Sequence, residues 1–273
     1  MNQNIAEIEF TIFDTETTGL EPESGDRIVE IAAIRVKGKQ EISTFQALVN
    51  PGRPISQAAF KVNKISQEML KGAPGIEEVL PKFLDFIHGS CLCSYNAGFD
   101  LEFLNQELSI TGKSGLKDIL VVDVLKMAKR LLPGLERYAL ISVAQNLGFK
   151  QAQMHRALSD VRLTLGVFNK FKEILEAKGI RDFDNFLHMF TIDARTLQDL
   201  NARKITQIRQ AIDLGVTLKI KYLSTSGAEV TEREVVPSEI KQENHNSYLV
   251  GYCCLRKEER TFRIDGILHL EVV

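Results

Sequence analysis

Hydrophobic and polar positions along the 273-residue chain fall into two regimes. From Ile8 to Asp14, from Arg27 to Val36 and from Ile42 to Val49 the sequence is rich in β-branched and aromatic residues, as strands are. Gly38 lies between the last two runs and fits a turn, which predicts a three-stranded meander. After Pro51 and Pro54 the pattern becomes helical. Ile76 to Ile87 carries Val79, Phe83, Phe86 and Ile87 on one face. Cys91 to Ser94 reads as a short buried strand, and a helix follows from about Gly98 to Leu108. Further helices fit Val124 to Leu131, Tyr138 to Leu147 and Ala157 to Glu176. Strands with covering helices predict an α/β layered domain over residues 1–176.

The second regime begins after a mixed, charged stretch at residues 177–204, which reads as a helical connector. Ile205 to Leu214 is helical and closes at Gly215, a fitting C-cap. Then come LKIKYL, EVTEREVV, YLVGYCCL, RTFRI and ILHLEV, split by turns such as Ser226-Gly227 and Asn244-His245-Asn246. Short alternating segments of this kind predict a small β-barrel or strongly bent sheet over residues 205–273.

Composition narrows the class. A hydrophobic fraction of 44% and a charged fraction of 26% are ordinary for a globular protein able to bury a core. With 34 basic and 36 acidic residues the net charge is −2, so a nucleic-acid partner would not be gripped by overall charge. Divalent cations would have to offset the phosphate repulsion locally. Cys91, Cys93, Cys253 and Cys254 form no CxxC zinc pair and read as small buried hydrophobes in a reducing compartment. The N-terminus has no basic region followed by an apolar core, and no apolar run is long enough to span a bilayer. The expected location is the cytoplasm, and the sequence leaves the oligomeric state open.

Three short segments carry candidate chemistry. In FTIFDTETTGL, a strand ends at Asp14 with Glu16 two residues on, and positions i and i+2 share a strand face. Adjacent carboxylates repel unless a cation joins them, and oxygen donors suit Mg²⁺ or Mn²⁺. Thr15, Thr17, Thr18 and Gly19 form a polar turn able to take up a nucleotide end. In CLCSYNAGFDLEFL, Asp100 falls in a first helical turn, where the helix dipole favours its ionised form. In HRALSD, His155 and Asp160 are five apart, a spacing that would point them to different faces of one helix. His155 therefore belongs on the loop before the helix, where an imidazole, ordinarily titrating near pH 6.5, suits proton transfer. Taken singly, each segment also fits a plain structural role. Taken together, Asp14, Glu16, Asp100 and Asp160 gather at the mouth of one layer and could balance two divalent cations, the clamp used for in-line phosphodiester cleavage.

FDTETTGL, NAGFD and HRALSD together resemble the DEDD exonuclease superfamily in its histidine subclass, the group of the epsilon subunit of bacterial DNA polymerase III, ribonuclease T and oligoribonuclease. The resemblance covers roughly residues 8 to 175. It implies a ribonuclease H-like fold, a mixed sheet with flanking helices. It implies two Mg²⁺ or Mn²⁺ ions held by Asp14, Glu16, Asp100 and Asp160. It also implies His155 as general base, and release of nucleoside monophosphates from 3′ ends. Thr15, Thr18, Gly19, Leu20, Asn96 and Phe99 would hold the terminal nucleotide. The C-terminal region resembles a WYL domain, a small Sm-like, SH3-like barrel. That likeness implies a pocket for a nucleic-acid fragment or nucleotide ligand, formed by Arg233, Tyr248, Arg256, Arg260 and Arg263. Ser247 stands where the name-giving tryptophan would be, and Gly266 where a basic residue is usual. Glu258 and Glu259 are interleaved with the arginines and could pair with them instead.

The expected activity is a 3′→5′ exonuclease on single-stranded DNA in replication or repair. An RNA 3′ exonuclease of ribonuclease T type is the alternative, since stacking on single strands tolerates either sugar. A ligand-sensing or scaffolding protein acting through the barrel is the alternative of another class, and the intact acidic set argues against it.

Overall fold

The structure is a computed structural model that describes residues 3–116, 119–150, 155–225, 228–243 and 246–273. The expected turn residues Ser226, Gly227, Asn244 and His245 lie outside the described residues. In chain order the elements are β1 (Glu9–Thr17), β2 (Ile28–Lys37), β3 (Gln40–Leu48), α1 (Gln57–Asn63), α2 (Gln67–Leu70), α3 (Ile76–Ile87), β4 (Cys91–Ser94), α4 (Ala97–Ile110), β5 (Val121–Asp123), α5 (Val124–Leu131), α6 (Leu140–Asn146), α7 (Ala157–Ala177), α8 (Phe183–Phe190), α9 (Ala194–Leu214) and β6 (Leu218–Leu223). They are followed by β7 (Val230–Glu243), β8 (Asn246–Cys253), β9 (Glu258–Arg263) and β10 (Ile267–Val272). Two compact units result. One comprises Ile5–Lys126 with Glu136–Lys172; the other comprises Met1–Asn4, Met127–Leu135 and Glu173–Val273.

The first unit holds a five-stranded mixed sheet of order β3-β2-β1-β4-β5. The predicted meander is present: β1 pairs β2 and β2 pairs β3, both antiparallel, with Gly38 at φ 59° in the turn. Strands β4 and β5 add in parallel, Ile12 lying beside Cys93 and Cys93 beside Val122. Alternation along β1 sends successive side chains to opposite faces. Phe10 meets Phe168 of α7 on one face, ring centroids 5.0 Å apart, and Phe13 meets Phe83 of α3 on the other at 6.0 Å. All four rings are fully buried, each contributing about 1.5–3 kcal/mol relative to exposure. The sheet is thus a central layer between helices, as ribonuclease H-like domains are built.

The parity of β1 then places the chemistry. Asp14 and Glu16 have the parity of Phe10, so they project toward the α7 face. Asp14 lies four strand residues beyond Phe10, about 13 Å. Asp160 lies eight helix residues before Phe168, about 12 Å. The two elements are in step, so fixing the Phe10–Phe168 contact brings Asp160 to Asp14. One expectation changes: β1 does not end at Asp14 but runs to Thr17, and Glu16 is itself a strand residue.

The second unit holds a five-stranded antiparallel sheet of order β10-β6-β7-β8-β9. Its core joins Ile208 and Ala211 of α9 to Leu218, Ile220, Val235 and Leu249 of the strands. The register of β7 on β8 shifts between Pro237 and Glu239, and a bulge is where a strand accommodates a proline that cannot donate. Residues 177–204 contain α8 and the first half of α9, which continues unbroken past Lys204 to its cap at Gly215. Asp182 and Asp193 cap these helices at their N-termini, accepting from the amides of Asn185 and Thr196. All four cysteines are free thiols. Cys91, Cys93 and Cys253 are buried as expected, but Cys254 is exposed, because it follows an inward-facing residue. Among the described residues no helix is long and apolar enough to cross a membrane.

Candidate active site

At the end of β1 one carboxylate oxygen from each of Asp14, Glu16 and Asp160 lies within 4.8 Å of the others. Such crowding penalises ionisation. Burial, then the charges of Asp100 and Glu16, hold the Asp14 carboxyl well above its usual range. Burial and the neighbouring Asp160 push Glu16 up to about 8. A hard divalent cation would relieve both effects at once, and three convergent carboxylate oxygens are the donor set Mg²⁺ or Mn²⁺ takes. The residues present therefore fit the expected metal.

Asp100 stands outside that triangle. It is buried in the first turn of α4 and its Oδ1 accepts from the Thr15 amide at 2.9 Å and the Thr15 hydroxyl at 2.7 Å, while Oδ2 accepts from Ser94. Thr15 has the opposite parity to Asp14 and Glu16, so it faces α4 rather than α7. Burial raises the Asp100 carboxyl to about 6, against the lowering effect of the Ser94 and Thr15 hydrogen bonds.

His155 precedes α7, as its spacing from Asp160 requires. Its φ is 48°, and its Nδ1 lies 4.0 Å from Asp160 Oδ2. The imidazole is about half exposed, so it can meet a ligand from solvent.

The turn after β1 is tied down by hydrogen bonds. The Thr18 hydroxyl donates to Asp26 Oδ1 at 2.8 Å and accepts from the Arg27 amide at 3.1 Å. The Thr18 carbonyl accepts from Ser56, and that of Thr17 from the Asn63 side chain at 3.3 Å. A Cβ on Gly19 would lie 2.1 Å from Asp26 Oδ2, so a larger residue there would push Asp26 off its Thr18 hydrogen bond. Thr15 and Thr18 thus spend their hydroxyls inside the protein, on Asp100 and Asp26. Leu20 is 78% exposed at the rim, and Asn96 is exposed at the N-cap of α4 with φ 67°. Phe99, half-buried, packs against Phe103 with ring centroids 5.0 Å apart and the planes tilted by 49°.

Several supporting residues escaped the sequence motifs. Glu107, 1% exposed, takes a bidentate pair from Arg27 and the Ile28 amide, anchoring the return of the turn into β2. Asp123 of β5 accepts from the Asn96 and Leu125 amides and so pins the turn that presents Asn96. Glu30, fully buried on β2 opposite Glu16, binds Arg156. Locally, only an acid between leucines near the end of a helix, as in LeuAsnGlnGluLeu, and an acid inside an apolar strand, as in IleValGluIleAla, signal Glu107 and Glu30.

In the second unit a polar cavity of about 360 Å³ is lined by Arg233, Arg256 and Arg260 together with Tyr222, Thr231 and Glu229. Arg260 also pairs with Glu258 at 2.8 Å. Tyr248 and Arg263 lie outside that lining. They are cross-strand partners, and Arg263 is held by Asp265 at 2.6 Å.

Residues 11–168 match the exonuclease family RNase_T, and residues 203–272 match the WYL domain. The epsilon subunit of DNA polymerase III from Treponema pallidum is 42% identical over 163 residues, covering 59% of this chain and 75% of that protein. The epsilon subunit from Aquifex aeolicus is 36% identical, covering 67% and 90%. The PolC-type DNA polymerase III of Thermotoga maritima is 35% identical over 94% of this chain, which spans only 18% of that protein's length. Among solved structures, the nuclease domain of 3′hExo, a DEDDh family member, superposes with a TM-score of 0.56 at 18% identity, covering 63% of this chain and 94% of that one. That likeness establishes the ribonuclease H-like fold. The chain belongs to the exonuclease family that includes the DNA polymerase III epsilon subunits, and it carries a WYL domain at its C-terminal end.

Proposed function

We propose that this chain is a 3′→5′ exonuclease that releases nucleoside monophosphates from the 3′ ends of single-stranded DNA in the cytoplasm, during replication or repair. The observation that carries the reading is the convergence of Asp14, Glu16 and Asp160 within 4.8 Å, with His155 at 4.0 Å from Asp160. Asp14, Glu16 and Asp160 would hold the cations, with Asp100 adding its charge beside Asp14. Two bound Mg²⁺ or Mn²⁺ ions would supply positive charge against the scissile phosphate and acidify a water. His155 takes up the proton of the attacking water at its imidazole nitrogen. The Thr18–Leu20 turn, held by Asp26, would seat the terminal nucleotide with Asn96 and Phe99. Thr15 contributes by fixing the Asp100 carboxylate.

A gel assay with 5′-labelled DNA and RNA oligomers tests this. With Mg²⁺ or Mn²⁺ the products should shorten stepwise from the 3′ end, faster on DNA, and EDTA should stop the reaction. Endonucleolytic products, or hydrolysis indifferent to chelation, would overturn it.

The nuclease reading belongs to residues 1–176 and a separate ligand reading to residues 205–273, with residues 177–204 between them. The arginine-lined cavity of the WYL domain suits a nucleotide or nucleic-acid phosphate, because guanidinium forks pair bidentately with phosphate oxygens. Arg256→Ala with Arg260→Ala should weaken single-strand affinity and flatten its dependence on salt. Unchanged binding on both counts would reduce the arginines to a charged rim.

A further inference from the structure

We propose that Glu30 and Arg156 form a clamp that positions His155, so that both are positioning residues for proton transfer at the site. The inference rests on the nuclease reading above for its functional meaning, and on the hydrogen bonds around Glu30 for its structure.

Glu30 is fully buried and lies directly across from Glu16 in the β1–β2 register. A third carboxylate on the face that already carries Asp14 and Glu16 is costly unless it serves another purpose. Its two oxygens are saturated by four N–H donors. Arg156 Nε donates to Oε2 at 3.0 Å and Arg156 Nη2 to Oε1 at 2.9 Å. The Ala157 amide donates to Oε2 at 3.2 Å and the Gln46 side chain to Oε1 at 2.9 Å. No capacity remains for a cation, which separates Glu30 from the metal-binding acids.

Three of these donors belong to residues 156 and 157, immediately after His155. His155 occupies the left-handed region at φ 48°, a conformation that costs a non-glycine residue about 1 kcal/mol or more. The clamp holds the chain on the C-terminal side of that residue and offsets the cost. The carbonyl of Arg156 in turn accepts from the Asp160 amide at 3.0 Å, which continues the constraint into the helix that carries Asp160. One planar guanidinium therefore fixes the direction in which His155 leaves α7 relative to Asp160. A lysine keeps the charge but not the fork.

The test uses Arg156→Lys in the full chain. The expected result is a fall in kcat of about tenfold or more with KM within about twofold, alongside a lowered thermal midpoint because Glu30 loses part of its donor set. In metal-free, ¹⁵N-labelled protein, long-range imidazole correlations, assigned with His155→Asn, should shift or broaden for His155 and stay in place for His188 and His269. Glu30→Gln should displace the same His155 resonances. Wild-type His155 resonances in Arg156→Lys would overturn the clamp, as would kcat unchanged in an active enzyme. Absence of turnover in the wild-type chain would refute the nuclease reading instead, and the resonances would still decide the clamp.

Discussion

Each unit buries a charged centre, and the two centres meet the cost differently. In the first unit Glu16 is pushed up to about 8 by burial and by Asp160 beside it. In the second unit Lys204 is pushed down to about 8 by burial, partly offset by Asp265 and Asp182. Lys204 finds its partners inside the chain. Its Nζ donates to the Ile267 carbonyl and to Asn185 Oδ1, and meets His188 Nδ1 at 3.0 Å, while His188 Nε2 meets Asn201 at 2.6 Å. The carboxylates of the first unit instead find one another. A buried charge satisfied by its own chain holds a fold together; buried like charges facing each other call for a ligand from outside. The difference separates architecture from site without reference to any relative.

The largest effect should come from breaking the acidic centre. Asp14→Asn keeps the volume and removes a charge, and should cut hydrolysis about a thousandfold, as expected for losing several kcal/mol of metal-borne stabilisation. The midpoint of metal-free unfolding should not fall. Activity within a few-fold of wild type would contradict the assignment of the acids.

The next effect concerns pH. The folded pKa of Glu16 is about 8 and that of Asp100 about 6, both above their unfolded values. The folded state then holds more protons than the unfolded state between roughly pH 4 and 8, so the stability of metal-free protein should fall as pH rises through that window. Saturating Mg²⁺ should abolish the slope, since the cation replaces the protons. Denaturant titrations at several pH values, with and without the ion, measure both. A slope that persists unchanged with the ion would mean the acids bind none.

Lys204 provides the opposite sign. Its folded pKa lies below the unfolded value of about 10.5. The unfolded state binds the extra proton between about pH 8 and 10.5, so this residue makes stability rise with pH there. Lys204→Met should flatten that rise. It should also cost about 1–3 kcal/mol, from the Ile267 carbonyl and its neighbours left without their donor. An undiminished rise in the variant would show that Lys204 stays charged in the fold. The double arginine substitution in the cavity should be the smallest effect, visible in binding and not in stability.

Much of the fold was legible in short-range pattern. The bounds of α3, β4, β6 and β10 follow from runs of apolar periodicity ended by turn residues, and the meander from three such runs around Gly38. The three-residue β5 was not legible, because so short an apolar run has no period. Nor was the full length of α9, since its first half is mostly polar and is held by the Asp193 cap and tertiary contacts. Within the site, Asp14, Glu16, Asp100, His155 and Asp160 could be named from residue type and spacing. Glu30 and Arg156 could not be paired, because they are 126 residues apart in sequence and an acid inside IleValGluIleAla does not say what binds it.

By itself the sequence determined which residues were candidates for chemistry and that His155 stands outside the helix of Asp160, because helical and strand periods are local properties of the chain. Only the tertiary structure decided that Asp100 turns to Thr15 and Ser94 while Asp14, Glu16 and Asp160 converge, and that one buried carboxylate serves a guanidinium instead of a cation. Those outcomes depend on which face of β1 each helix covers, and that is settled by packing Phe10 against Phe168 and Phe13 against Phe83.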